Sequence, residues 1–254
     1  MVLAVDIGNT NIVFGGFNGD SLDFVIRIST DASKTEDEYA SKIRSILSLH
    51  NILPENVEGA VISSVVPPLN PIVKSALRLV YGIDAIMVEP GVKTGLNLKC
   101  DDPSSVGADL ICACVAAINL YEYPALVIDM GTATKLLMVD ESGAFSGAVI
   151  APGVLMGVKS LSSGTAQLPQ INLEAPKSVL GKNTVDCMKS GVVYGNASMI
   201  DGMIDRMTEE FGKEFPVYAT GGMCKTVIPN CRHEITIDDS MVLKGLKIIY
   251  DKNK

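Results

Sequence analysis

The start of the chain alternates short apolar runs with turns, which predicts paired strands. Residues 2–5 form one apolar run, and residues 12–14 form a second run after a Gly-Asn-Thr-Asn turn. Residues 22–28 alternate apolar and polar positions, as expected for a third strand with one buried face. A helix should begin near Thr35, because Glu38 stands three residues later in a capping-box arrangement.

Strands and helices then alternate through the rest of the chain. We predict further strands from the apolar runs at residues 59–67, 85–88, 125–128, 136–139, 144–150 and 217–219. We predict further helices from spacing and composition at residues 68–81, 106–120, 184–212 and 240–250. Residues 89–106 are rich in Gly, Pro, Asp and Ser and predict a loop.

One pattern occurs twice. Residues 2–10 and residues 126–134 both comprise an apolar strand, an Asp, an apolar residue, a Gly and then hydroxyl residues. The two copies lie about half the chain apart, a period too long for a solenoid. We therefore predict two related domains, residues 1–117 and residues 118–254.

The composition argues against several classes of partner and location for this protein. The 254 residues carry a formal net charge of −8, with 21 Lys and Arg against 29 Asp and Glu, which argues against nucleic-acid or anionic-membrane partners. We find neither a signal peptide nor an apolar run of about 18 residues that could span a membrane. The six Cys show no CxxC spacing and are expected to be reduced thiols of a cytoplasmic protein.

Several familiar motifs are absent. The sequence has no GxxxxGK[ST], no GxGxxG after a strand, no HExxH and no GxSxG. Only two His are present, one ending a predicted helix and one preceding a short strand. Catalysis is therefore expected to use carboxylates, hydroxyls or a bound metal.

The repeated Asp-x-Gly element suits phosphate chemistry. An Asp at the end of a strand, followed by a tight Gly turn, places a carboxylate beside backbone amides that a phosphate can approach. Such a carboxylate can hold Mg²⁺, usually through water. A single copy could equally be a plain hairpin turn, but two copies can face each other across a cleft. Residues 220–222, Thr-Gly-Gly after a strand, add a third small-residue loop, which could also simply lead into a helix.

These three elements resemble the two phosphate motifs and the adenosine motif of the actin-like ATPase superfamily. Within it the chain resembles the type III pantothenate kinase family, and residues 63–67, 106–109, 151–153, 181–184 and 190–191 also match. The resemblance runs through the whole chain in order. It implies an α/β fold of two ribonuclease H-like domains from an internal duplication, with mixed sheets flanked by helices.

The resemblance also implies roles for individual residues. Those expected to bind ATP are Asp6 (beside Mg²⁺), Ile7, Gly8, Asn9, Thr10, Asn11, Ile12, Val13, Gly131, Thr132, Gly221 and Gly222. Asp129 is expected to hold a monovalent cation, K⁺ or NH4⁺, and Asp109 to be the general base. The residues expected around pantothenate are Cys100, Gly107, Ala108, Asp109, Leu110 and Thr184. The family acts as a homodimer whose interface shapes that pocket.

Four positions depart from the family pattern. The family usually has an aromatic residue at Cys100 and Arg at Leu110, and many members have Asn at Ala113 and Thr at Lys135. Lys135 could lie near a phosphate or be solvated. The leading hypothesis is ATP-dependent phosphorylation of pantothenate to 4′-phosphopantothenate, the first step towards coenzyme A. The altered acceptor side leaves two alternatives: a kinase of the same fold for another small hydroxyl compound, or a nucleotide-binding regulatory protein with impaired catalysis.

Overall fold

Two units make up the protein in the computed structural model, which describes residues 1–163 and 168–254. The first unit comprises Met1–Leu96, Asp101–Asn119 and Ser240–Lys254. The second unit comprises Asn97–Cys100 and Leu120–Asp239. The chain therefore leaves the first unit twice and returns to it with its last helix.

The described residues form ten strands and seven α-helices. The strands are β1 (Val2–Ile7), β2 (Asn11–Asn18), β3 (Ser21–Ser29), β4 (Gly59–Ser64), β5 (Ile86–Met87), β6 (Ala125–Met130), β7 (Ala133–Val139), β8 (Phe145–Pro152), β9 (Val217–Thr220) and β10 (Thr236–Ile237). The helices are α1 (Glu36–Leu49), α2 (Leu69–Tyr81), α3 (Ala108–Leu120), α4 (Val154–Ser163), α5 (Thr184–Phe211), α6 (Cys224–Val227) and α7 (Met241–Asn253). No helix in the described part of the chain is long and apolar enough to cross a membrane.

The two sheets share one topology. The first sheet has the order β3-β2-β1-β4-β5, and the second has the matching order β8-β7-β6-β9-β10. In each sheet the central strand, β1 or β6, runs antiparallel to the next strand along the chain. On its other side it runs parallel to β4 or β9. The predicted duplication and the α/β class with mixed sheets are confirmed.

Strand β1 is apolar throughout because both faces of the first sheet are covered. Leu3, Val5 and Ile7 belong to a core shared with α1 and α2. The alternate residues Val2 and Ala4 belong to a core shared with α3 and α7. Successive side chains of a strand point to opposite faces, so burial on both faces selects a continuous apolar run.

One face of the second sheet is covered by α5. Alternate residues of β6, namely Leu126, Ile128 and Met130, pack in one core with α5 and α6. The buried residues of α5 include Val192, Val193, Ala197, Ile200, Ile204 and Met207. The helix begins at the side chain of Asn183, which accepts a hydrogen bond from the backbone N–H of Asp186. Each Asp-containing strand end is thus held by a packed sheet.

Most predicted elements are present, with two differences of note. The capping box at Thr35 and Glu38 is present, and α1 begins directly after it. Helix α4 was not predicted. Helix α7 packs in the first unit, although the division near residue 118 assigned it to the second half. Its apolar side chains Leu243, Leu246 and Ile249 pack in the core that contains Val2 and Ala4 of β1, so α7 shields from water the part of this face that α3 leaves uncovered.

Gly245 permits the close packing of α7 on α3. A Cβ at this position would lie 1.9 Å from the backbone oxygen of Cys112, a main-chain atom that cannot turn aside. We expect Gly245→Ala to lower the free energy of unfolding by about 1–3 kcal/mol or more through overpacking. Thermal or urea unfolding measures this. The matched variant Gly202→Ala on α5, where a Cβ meets nothing within 4 Å, should be neutral or stabilising. Equal stability of the two variants would contradict this account.

Candidate active site

The first hairpin presents a polar turn on a fixed backbone. The N–H of Gly8 donates to the backbone oxygen of Asn11 at 3.0 Å, which closes the turn between β1 and β2. Thr30, beyond β3, braces the turn from the side. Its N–H donates to the oxygen of Thr10 at 3.0 Å, and its hydroxyl donates to the oxygen of Gly8 at 2.6 Å. Asn9, Thr10 and Asn11 remain exposed, so the turn offers amides and short polar side chains to a ligand.

Asp109 lies in the first turn of α3. Its carboxylate is 9% exposed, and its Oδ1 accepts a hydrogen bond from the N–H of Leu110 at 2.9 Å. A Cβ on Gly107 would lie 2.6 Å from the same oxygen, so glycine leaves the space that this carboxylate occupies. A carboxylate in the first turn of a helix also interacts favourably with the helix dipole. The carboxylate is therefore held in one position by its own helix and by the residue before it.

Cys112, fully buried on α3, shows that Asp6 and Asp109 share one neighbourhood. Burial raises the pKa of the Cys112 thiol well above its ordinary value, and the carboxylates of Asp6 and Asp109 raise it further. Ser63 is the cross-strand partner of Asp6 on β4. Two acids more than one hundred positions apart are thus brought together within the first unit.

The second hairpin is tighter than the first. Only Gly131 and Thr132 separate β6 from β7, and the N–H of Gly131 donates to the oxygen of Ala133 at 3.1 Å. Thr132 is exposed at the tip. Asp129 and Lys135 are direct cross-strand partners, and Lys135 Nζ lies 2.9 Å from Asp129 Oδ2. The Lys135 side chain is therefore not a solvated surface group, because its ammonium is paired with the Asp129 carboxylate.

The Thr-Gly-Gly loop lies against the base of this hairpin. Gly221 has φ of +103°, and a Cβ there would lie 2.6 Å from both the carbonyl carbon and the oxygen of Met130. At Gly222, the next residue, a Cβ would meet nothing within 4 Å. Gly153, at the end of β8, approaches the hairpin equally closely, because its Cβ would lie 2.0 Å from the oxygen of Thr132. Glycine at 221 and 153 lets three chain segments meet at one turn.

The structure distinguishes backbone from side-chain roles among the remaining predicted residues. Ile7 and Ile12 are fully buried in the core, so only their main-chain groups can face a ligand. The Leu110 side chain is also buried, at 9% exposure. Cys100 is half-buried in the second unit, and Thr184 is exposed at the first residue of α5. Val13 is half-buried opposite Asp6.

Two contacts at the second hairpin were not predicted from the sequence. The pairing of Lys135 with Asp129 was missed, although their positions on either side of a two-residue turn were a usable signal. The support that Gly153 gives to Thr132 was also missed, although a Gly directly after a strand-ending Pro marks a close approach. Among residues 1–163 and 168–254, no group of three or more His, Cys, Asp or Glu could hold a metal ion by itself.

Comparison with known proteins gives consistent matches. A family model described as type III pantothenate kinase matches residues 2–206. A protein of Halalkalibacterium halodurans named type III pantothenate kinase is 42% identical over 253 residues, with 100% of both chains covered. A protein of the same name from Exiguobacterium sp. is 41% identical over 254 residues, with the same coverage.

A solved structure extends the likeness to the fold. Component A of the (R)-2-hydroxyglutaryl-CoA dehydratase of Acidaminococcus fermentans superposes with a TM-score of 0.59 at 14% identity. The match covers 100% of this chain and 99% of that one. At this identity the likeness concerns the fold alone. It agrees with two duplicated domains that share one sheet topology.

Proposed function

The chain belongs to the type III pantothenate kinase family, and from this premise we propose which of its residues bind ATP, hold pantothenate and accept the proton. The protein is a phosphotransferase that uses ATP to phosphorylate pantothenate in coenzyme A biosynthesis. The observation that carries this conclusion is the match to same-named relatives along the entire chain. The product expected of this reaction is 4′-phosphopantothenate.

The proposed ATP site uses both hairpins and the Thr-Gly-Gly loop. The first turn, from Asp6 to Val13, would wrap the phosphates with exposed amides and side chains. Gly131 and Thr132 would contact ATP at the second turn, and Gly221 and Gly222 would lie beside the adenosine. Support comes from the bracing of each turn by hydrogen bonds and close backbone contacts, since a preorganised donor set binds phosphate without reordering.

Asp6 has the chemistry required for Mg²⁺. It is a half-buried carboxylate at the end of β1, directly before the exposed turn. Magnesium ions keep several waters and are commonly held by one or two carboxylates together with substrate phosphates, so a dense cluster of acids is not needed. A bound Mg²⁺ would neutralise charge on the phosphates of ATP. Asp6 would orient it, usually through water.

Asp109 is the proposed general base. A primary hydroxyl attacking the γ-phosphate loses its proton as the O–P bond forms, and a nearby carboxylate is sufficient to accept it. The common effect of Asp6 and Asp109 on the Cys112 thiol supports this role, because Asp6 belongs to the turn proposed to bind the phosphates. Glycine at 107 and the N–H of Leu110 keep its carboxylate oriented.

Gly107, Ala108, Asp109, Leu110, Cys100 and Thr184 are the residues proposed to hold pantothenate. The buried Leu110 side chain supplies no cation for the substrate carboxylate, so that charge must be met by another group. The function is tested by ADP release that requires pantothenate, together with the mass of the phosphorylated product. A panel of other small hydroxyl acceptors tests the specificity, and absence of transfer to pantothenate would overturn the proposal.

The expected site for a monovalent cation, the Asp129 carboxylate, already has a cationic partner. The Lys135 ammonium already lies 2.9 Å from one oxygen of this carboxylate, and both side chains are mostly withdrawn from water. A second cation on the same carboxylate would be repelled by the ammonium. The residues present do not fit K⁺ or NH4⁺ at Asp129, and no catalytic step is routed through such an ion.

A homodimer in the cytoplasm is the proposed assembly and location. Exposed apolar side chains on the second unit support self-association, and the most exposed are Ile150, Leu155, Met156, Val179 and Leu180. Leu180 is 82% exposed. All six Cys are free thiols, as a reducing compartment favours. Sedimentation or light scattering in solution tests the dimer.

Gly107→Ala tests the positioning of the general base. The added Cβ displaces the Asp109 carboxylate, which is the flexible partner in that contact. We expect kcat to fall by about 10- to 100-fold, because small misplacements of a catalytic group are costly. Affinity for ATP and the unfolding temperature should stay close to those of the unmodified protein. Steady-state kinetics and calorimetry measure these quantities.

Gly195→Ala on α5 is the matched control for that experiment. A Cβ there meets nothing within 4 Å, so kcat should be unchanged. If Gly107→Ala retained full kcat, the space at residue 107 would have no part in holding Asp109.

A further inference from the structure

The ion pair between Asp129 and Lys135 is built into the second hairpin. The two residues are direct partners across β6 and β7. Their side chains are only 13% and 18% exposed, and the Nζ–Oδ2 distance is 2.9 Å. A carboxylate withdrawn from water needs a compensating charge, so Lys135 neutralises Asp129 from within the same turn.

The duplicated fold supplies an internal comparison. In the first hairpin, Asp6 occupies the place that Asp129 occupies in the second, and its cross-strand partner is Val13. Val13 carries no charge and cannot neutralise Asp6. On the opposite side the partners are Ser63 for Asp6 and Thr220 for Asp129, both hydroxyl residues. The two hairpins therefore differ in the charge of the residue that pairs with the Asp across the strands.

We propose that the Lys135 ammonium takes the place of the monovalent cation at Asp129, so that this protein transfers the phosphoryl group without K⁺ or NH4⁺. The inference rests on the proposed function, because it concerns the same site. An ammonium group carries the same single charge as either ion and directs three N–H donors at nearby oxygens. It is also tethered, so its occupancy does not vary with the concentration of free ions.

The test compares salts at equal ionic strength. Pantothenate-dependent ADP release is measured in KCl and in tetramethylammonium chloride, whose cation is too large for a carboxylate site. The unmodified protein should show the same rate in both salts within about two-fold, a difference of under 0.5 kcal/mol. Lys135→Thr should lose about ten-fold or more in tetramethylammonium, and KCl or NH4Cl should restore it.

Thermal unfolding supplies a readout that does not need catalysis. With ATP present and pantothenate omitted, KCl should raise the unfolding temperature of Lys135→Thr above its value in tetramethylammonium chloride. The unmodified protein should unfold at one temperature in both salts. If the protein failed to phosphorylate pantothenate in any salt, the proposed function would fall, whereas these unfolding temperatures would still decide the role of Lys135.

Lys247→Thr is the matched control. Lys247 is similarly withdrawn from water and pairs with Asp251 on α7, remote in sequence from the proposed site residues. This variant should lose stability equally in both salts and gain no response to K⁺. Loss of rate in the unmodified protein when K⁺ is removed would overturn the proposal. The proposal would also be overturned if Lys135→Thr lost rate or ATP affinity in every salt. Lys135 would then act on ATP itself.

Discussion

Replacing Asp109 by Asn should lower kcat by about 10²–10⁴-fold, the usual contribution of a general base. The amide keeps the size of the side chain and an oxygen that can accept the N–H of Leu110. It cannot accept the proton of the attacking hydroxyl. Affinity for ATP should change little, because nucleotide binding is assigned to other residues. Rapid-quench or coupled assays give kcat, and calorimetry gives the affinity.

Asp201→Asn is the control matched for burial. Asp201 is also 9% exposed, but its carboxylate accepts backbone hydrogen bonds from Arg232 in the second unit. Its replacement should lower the unfolding temperature and leave kcat per folded molecule intact. A fully active Asp109→Asn protein would remove Asp109 from the reaction and leave the proton to another group.

Replacing Gly221 by Ala should lower both the free energy of unfolding and the affinity for ATP. An Ala there would adopt φ of +103° and bring its Cβ to 2.6 Å from the backbone of Met130. Backbone strain of about 1–3 kcal/mol and overpacking of similar size should add, giving a loss of about 2–6 kcal/mol in unfolding free energy. Because the loop braces the second hairpin, affinity for ATP should fall by about ten-fold or more, equivalent to 1.4 kcal/mol.

Gly82→Ala separates the two causes. Gly82 also has a positive φ, of +69°, but a Cβ there meets nothing within 4 Å. The free energy of unfolding of Gly82→Ala should fall only by the cost of the backbone conformation, about 1 kcal/mol. Its affinity for ATP should not change. Urea unfolding and nucleotide titration of both variants measure the difference. If the two variants lost equal stability and both bound ATP normally, the contact with Met130 would be unimportant.

The fold could be predicted to a large extent because its elements are periodic and occur twice. Apolar runs ending in Asp located β1 and β6, and the capping box located the start of α1. The shared sheet order then follows from one strand–hairpin–strand pattern used in both halves. Helix α4 was missed because Gly157, a residue of low helix propensity, interrupts its apolar positions.

The site was less accessible to sequence reasoning, since contacts between distant segments are not encoded in local periodicity. The shared neighbourhood of Asp6 and Asp109 depends on α3 covering one face of the first sheet. The pairing of Lys135 depends on hairpin register, which a turn of uncertain length leaves open. Family resemblance named the residues, and their assigned roles in ATP and pantothenate binding stay predictions until variants are measured.

The return of α7 to the first unit has a consequence for synthesis on the ribosome. Residues of β1 emerge early, yet the face carrying Val2 and Ala4 gains its cover from α7 only when residues 241–253 have been made. The second unit is contained in an earlier part of the chain and can close first. The nascent first unit must therefore keep part of this apolar face exposed until α7 has been made, which makes it a natural client of a chaperone.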